Sequence, residues 1–247
     1  MFIIIIVNFI VGGLVGLTGV AGFLLPMLYV SLGYNVREAL ALSFFAFLVC
    51  GIIGSINYYK HKQLDISFGT KLGISSFIGA VLGVYLNSMI DDSAVKILLY
   101  MVVLLSGISI LLRKDKENLE SRTPNTTAVV IMGIITAAIC ALSGAGGPIL
   151  VMPLLVVLGI GVRQAVAIAL FDSIFIAVPS VIGYLNGNSS KTLLFALAVS
   201  SFFHGIGVFF GSKYSVKVNQ VIIKRSVAVI SIFVALYKLF ILSLIHI

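Results

Sequence analysis

Leu142-Ser-Gly-Ala-Gly-Gly147, with Pro148 directly behind it and Pro153 beyond, lies inside a stretch, Thr123–Val162, that contains no Asp, Glu, Lys or Arg. A charge-free run of that length seeks hydrocarbon. Glycines free the backbone from helical geometry and a proline removes a donor, so a helix entering the run is expected to break there. The pattern has a counterpart near the start of the chain, where Leu17-Thr-Gly-Val-Ala-Gly22 and Pro26 interrupt the charge-free run Phe2–Val36.

The correspondence extends outward from these two points. Gly33-Tyr-Asn-Val-Arg37-Glu-Ala39 matches Gly159-Ile-Gly-Val-Arg163-Gln-Ala165 at an offset of 126 residues, and Tyr58 meets Tyr184 at the same offset. Further on, Gly79-x-x-x-Gly83 parallels Gly207-x-x-x-Gly211. The one hydrophilic stretch, Arg113–Asn125, divides the chain almost in half. The expected organisation is a repeat over 1–112, a hydrophilic loop over 113–125 and a second repeat over 126–247. Internal duplication is common among secondary transporters.

Composition fixes the class. Hydrophobic residues make up 60% of the chain and charged residues 10%, and the mean hydropathy is +1.21. Soluble domains average about 25% charged residues. Further charge-free runs cover Ala39–Tyr59, Leu72–Ile90, Ile97–Leu112 and Thr192–Ser212. A spanning helix needs about 20 mostly apolar residues, and the period-2 alternation of a barrel is absent. The expectation is an all-α polytopic membrane protein with four apolar segments per repeat. The net charge of +8 sits in short loops beside apolar segments, as topology determinants do, so no nucleic-acid partner is expected. Cys50 and Cys140 lie inside apolar segments and read as packing residues. Met1–Gly22 lacks a basic leader, and its pattern recurs in mid-chain, so it is expected to be retained rather than cleaved.

The first segment of each repeat is too long for one crossing. Phe2–Leu32 as a straight helix would measure roughly 46 Å, against a hydrocarbon core of about 30 Å. Either it crosses once with a kink, giving eight spans, or it turns back as a re-entrant helical hairpin followed by three spans. Charge distinguishes the two. The kinked arrangement divides the loop bases eight against seven, whereas the hairpin arrangement leaves only Arg37, Lys96 and Lys191 opposite twelve others. The second division has the bias of a positive-inside protein. It also makes the repeats inverted and puts both termini on one side, outside the cytoplasm.

The breaks are the leading site candidates. A half-helix starting near Phe23 or Ile149 would aim unpaired N–H groups and a positive dipole at an anion. The substrate-binding candidates are therefore Thr18, Gly19, Ala21, Gly22, Ser143, Gly144, Gly146 and Gly147, with Thr18 and Ser143 each adding a hydroxyl. The glycine pairs at 79/83 and 207/211 read instead as helix-packing positions. Asp172, deep in the sixth segment, is a functional candidate by its depth alone, and His204 in the seventh carries an imidazole, the side chain whose ordinary range lies nearest neutrality. Both are assigned to proton coupling. Arg37 and Arg163 read as interface anchors. No P-loop, His-Glu-x-x-His, Gly-x-Ser-x-Gly or dinucleotide fingerprint occurs, so no enzymatic activity, cofactor or metal is expected.

With these motifs in view, Gly12-Gly-Leu-Val-Gly16-Leu-Thr-Gly19-Val-Ala-Gly22 with Pro26, the Gly33-x-x-x-Arg37-x-Ala39 that follows, and their duplicates from Gly133 to Ala165 resemble the TauE/SafE sulfite exporter family, which includes permeases of the 4-toluene sulfonate uptake type. The resemblance covers nearly the whole chain. It implies a secondary carrier of sulfite or a small organosulfonate in the bacterial inner membrane, exporting its substrate on the proton gradient. A passive anion channel is the alternative, and an intramembrane lipid-modifying enzyme a more distant one. The partners implied are a small sulfur-containing anion, protons and the lipid bilayer, with a homodimer as a candidate assembly.

Overall fold

In the computed structural model the described residues are 2–19, 21–112, 125–186, 190–215, 218 and 220–245. The hydrophilic loop expected at 113–125 lies outside them except for Asn125. Among the described residues all regular structure is helical. The helices are α1 (Phe2–Thr18), α2 (Leu24–Ser31), α3 (Val36–Lys60), α4 (Ile66–Asn87), α5 (Asp92–Leu112), α6 (Thr126–Ser143), α7 (Gly147–Val157), α8 (Val162–Leu185), α9 (Lys191–Tyr214) and α10 (Gln220–Ile245), with a 3-10 turn at Ala21–Phe23 leading into α2. Seven of these are long and apolar enough to cross a membrane. Phe2–Thr18, Ala21–Ser31 and Gly147–Val157 are shorter.

Helix starts differ with their surroundings. At the ends of α3, α4, α6 and α9 a side chain supplies the missing acceptor. Asn35 and Glu38 form a reciprocal capping box at α3, Asp65 caps α4, Asn125 caps α6 and Ser190 caps α9. Such caps satisfy N–H groups that a helix leaves free. The two short helices α2 and α7 start without one, as does α8 at Gly161: the N-cap positions of the short helices are Phe23 and Gly146. At their other ends both stop on a left-handed glycine, Gly33 at φ +92° and Gly159 at φ +94°. The Tyr34 N–H donates to the Tyr29 carbonyl at 3.1 Å and the Ile160 N–H to the Leu155 carbonyl at 3.0 Å, which closes each helix as glycine C-caps do.

Packing is organised by exchange between the halves. Helix α1 packs along α9 and α6 along α4; α3 packs on α8, and α5 on α10. The α1–α9 and α4–α6 pairs are close because glycines face carbonyls. A Cβ on Gly79 or Gly83 would collide with the Ile134 or Ala138 carbonyl, and one on Gly207 or Gly211 with the Phe9 or Gly13 carbonyl. These four glycines therefore serve packing, the role their spacing suggested. The outer surface carries large apolar side chains such as Phe2, Phe195, Phe202 and Phe233. A patch of that character on a soluble monomer would be exceptional; facing lipid it is the ordinary exterior.

Gly79→Leu and Gly207→Leu are expected to destabilise the fold by about 1–3 kcal/mol each, through overpacking against backbone that cannot retreat. Gly13→Ala places its Cβ 3.8 Å from the Gly207 carbonyl oxygen, an ordinary contact, and is expected to be neutral or stabilising by up to about 1 kcal/mol. Thermal unfolding in detergent reads both.

Candidate functional site at the two helix breaks

Helix α1 ends at Gly19, whose φ of +72° suits glycine, with its N–H donating to the Val15 carbonyl at 2.7 Å. Helix α6 ends in the same way at Gly144, φ +78°, with its N–H on the Cys140 carbonyl at 2.8 Å. Gly146, φ +84°, then redirects the chain into α7. That helix starts at Gly147, two residues ahead of the expected Ile149. Pro148 occupies its first turn, where the missing N–H would have had no intrahelical partner, so this proline begins a helix and does not break one.

The two breaks meet at one enclosed cavity. Gly19 and Gly22 line it from the first break, Gly146 and Ile149 from the second, and Phe47 of α3 and Ser173 of α8 from the helices between. Its free space is about 10 Å³, room for about one water molecule. The Phe47 ring lies between the breaks: a Cβ on Gly22 would meet one edge at 2.8 Å, and a Cβ on Gly146 the other at 3.0 Å. Ser173 donates to the Leu170 carbonyl at 2.6 Å and lies 3.4 Å from the Phe47 carbonyl. Cys50 is the other polar side chain on the wall. Among the described residues no Asp, Glu, Lys or Arg lines the cavity, so binding there would depend on backbone N–H groups, the hydroxyl and the dipoles of α2 and α7.

Of the eight binding residues expected from sequence, Gly19, Gly22 and Gly146 face this cavity. Ala21, Gly144 and Gly147 are buried beside it in the breaks. The Thr18 hydroxyl donates to the Leu14 carbonyl at 2.7 Å, and the Ser143 hydroxyl to the Ile139 carbonyl at 2.7 Å while accepting from the Ala145 N–H at 3.3 Å. In this conformation the two hydroxyls shape the breaks. Outside the breaks, Tyr58 donates to the Gly16 carbonyl at 3.2 Å and Tyr184 to the Ala141 carbonyl at 2.7 Å, supplying partners where the helical ladders run out.

Asp172 and His204 are fully buried but lie on different flanks. Asp172 faces α4 and α6, with Ser76 and Cys140 as its polar neighbours, and neither carboxyl oxygen has a hydrogen-bond partner of normal geometry. His204 faces the Asn8 backbone of α1, and neither ring nitrogen has a partner of normal geometry. Among the described residues no group of three or more His, Cys, Asp or Glu side chains is placed to hold a metal. Phe47 and Ser173 were not singled out from sequence. They are 126 residues apart, the offset already seen between the halves, and that was the signal available.

Residues 2–238 match the family described as Sulfite exporter TauE/SafE. The chain is 26% identical over 234 residues to the probable membrane transporter protein YdhB of Bacillus subtilis (strain 168), covering 91% of this chain and 94% of that one. It is 26% identical over 229 residues to a probable membrane transporter protein of Methanocaldococcus jannaschii, covering 88% and 86%, and 24% identical over 203 residues to one of Haemophilus influenzae, covering 76% and 75%. No solved structure matches. With a charge-free cavity between two interrupted helices, an apolar exterior and a family match spanning almost its full length, the chain belongs to the TauE/SafE sulfite exporter family and is a membrane transporter rather than an enzyme.

Proposed function

We propose that this protein is a secondary carrier that moves sulfite or a small organosulfonate through the cavity between its helix breaks, exporting it on the proton gradient across the bacterial inner membrane. The observation that carries this reading is the convergence of two uncapped half-helix starts on one enclosed space without fixed charge. On this reading the leading N–H groups of α2 and α7 serve a pyramidal or tetrahedral oxyanion and leave it free to depart, since no fixed cation holds it. A cavity with room for one water favours a carrier over an open channel. Substrate admission requires Phe47 to move off Gly22 or Gly146.

The first segment of each repeat is a re-entrant hairpin on this reading. Three contacts support it. Tyr29 donates to Asn8 at 3.0 Å, whereas a continuous helix would hold the two residues roughly 31 Å apart. Arg37 at the start of α3 donates to the Gly183 carbonyl near the end of α8 at 3.4 Å, and Lys238 of α10 to Ser31 at 2.8 Å. A kinked single crossing would put the members of both pairs on opposite membrane faces. Inverted duplication is further supported by the paired tyrosine contacts on Gly16 and Ala141, and by the glycine approaches that repeat between α1–α9 and α4–α6. The termini then share the non-cytoplasmic side.

Asp172 is the proton-coupling residue of this scheme, with His204 next to it in rank. A carboxyl with two unpartnered oxygens inside hydrocarbon is costly when charged. It is expected to lose and take up its proton only as packing around α4, α6 and α8 changes, which ties protonation to conformation.

Uptake of radiolabelled sulfite into proteoliposomes tests the function. Wild type is expected to accumulate sulfite when a pH gradient is imposed, and Asp172→Asn to lose gradient-driven accumulation at least about tenfold while retaining slow equilibration. Equilibration indifferent to pH in the wild type would establish the channel instead. Phe47→Ala is expected to raise passive leak. Topology has its own test. On a cysteine-free background, Gln63→Cys and Ser190→Cys should react with an impermeant maleimide from opposite faces; reaction from the same face would restore the eight-span arrangement.

A further inference from the structure

A second concavity, of about 630 Å³, opens where the start of α3 meets the C-terminal halves of α4 and α8. That volume falls within the usual range of ligand pockets, about 300–1,000 Å³, and far exceeds what a four-atom oxyanion requires. One wall is apolar, with Phe77 and Val81 from α4 and Pro179 and Ile182 from α8. The lining also includes Arg37 at the start of α3, beside the end of α8. Of its five N–H donors one reaches the Gly183 carbonyl, at 3.4 Å, and among the described residues no carboxylate is paired with it. Asp92 also stands on the rim, but in the first turn of α5, where the helix N-terminus favours a negative charge.

The floor of this vestibule leads toward the enclosed cavity. Tyr184 and Asn87, both on its lining, hold the last carbonyls of α6: Tyr184 bonds Ala141 at 2.7 Å, and the Asn87 amide bonds Leu142 at 2.7 Å. The Tyr184 ring stacks on Phe44 at 5.8 Å, and Phe44 meets Phe47 edge to face at 5.6 Å. Phe47 is the ring wedged between the two breaks. A ligand displacing Tyr184 would therefore disturb both the end of α6 and the aromatic group that closes the cavity.

We propose that the vestibule binds a water-soluble organic anion carrying an apolar body, with Arg37 holding the anionic group and the α4–α8 wall holding the body. Its role as the antechamber of the enclosed cavity rests on the transport reading; the binding site itself does not. The guanidinium fork matches a sulfonate or carboxylate in two-point contact, which an ammonium cannot reproduce.

Binding of radiolabelled benzenesulfonate to the full-length protein in phosphatidylcholine nanodiscs tests the site without requiring flux. Saturable binding is expected, weakened about tenfold or more in Arg37→Gln, partly restored in Arg37→Lys, and weakened by Val81→Trp, which fills the apolar wall and leaves the charge in place. Neutral benzenesulfonamide should fail to compete, a control that needs no variant. Equal binding by wild type and a folded Arg37→Gln would overturn the proposal, as would absence of saturable binding. Loss of binding on replacing phosphatidylcholine with phosphatidylglycerol would also overturn it, by identifying a lipid headgroup as the occupant. A protein inactive in sulfite flux that still binds benzenesulfonate would retain this site and lose only the transport reading.

Discussion

Inside hydrocarbon every backbone N–H and C=O must find a partner within the protein, and this molecule interrupts two helices in the middle of charge-free runs. The interruptions depend on left-handed glycines at 19 and 144, which no β-carbon-bearing residue occupies as easily. The carbonyl ends are supported by Tyr58 and Tyr184. The N–H ends at α2 and α7 receive no side-chain cap, in contrast to the capped helix starts at α3, α4, α6 and α9.

Close packing sets which parts move together. Where α1 lies against α9, and α4 against α6, glycine faces carbonyl and no space remains for sliding. These pairs are expected to behave as rigid flanks. The α3–α8 pair between them carries the bulky Phe47, the Ser173 hydroxyl and the buried Asp172. A change of access to the cavity therefore concentrates in side chains of the central pair and in the short helices α2 and α7.

The halves are alike in framework and unlike in chemistry. His204 stands 128 residues beyond Ser76, the same spacing that separates Gly79 from Gly207, and Asp172 stands 126 beyond Ala46. One flank thus buries an imidazole and the other a carboxyl, while the glycines and tyrosines that fix the backbone recur in both. The landmarks that shape the backbone recur at these offsets, and the titratable groups do not. A coupled carrier built this way need not use its two flanks equally.

Membrane-length apolar helices and the location of both breaks were legible in the residues, because each rests on local chemistry: absence of charge over helix-length runs, and clustered glycines. The packing role of glycines 79, 83, 207 and 211 was legible for the same reason, since spacing alone puts each pair on one helix face. The cavity wall was not. Phe47 and Ser173 are unremarkable in their own helices and acquire a role only when α3 meets α8. Thr18 and Ser143 looked available, yet each turns back on its own helical turn at 2.7 Å, an outcome decided by rotamer and local geometry. Arg37 read as an interface anchor; that it lines a concavity with residues of α4 and α8 is a tertiary fact. Sequence determined where the chain must break and what surrounds it; only the tertiary structure decided which side chains meet at the breaks, because those meetings join residues more than a hundred positions apart.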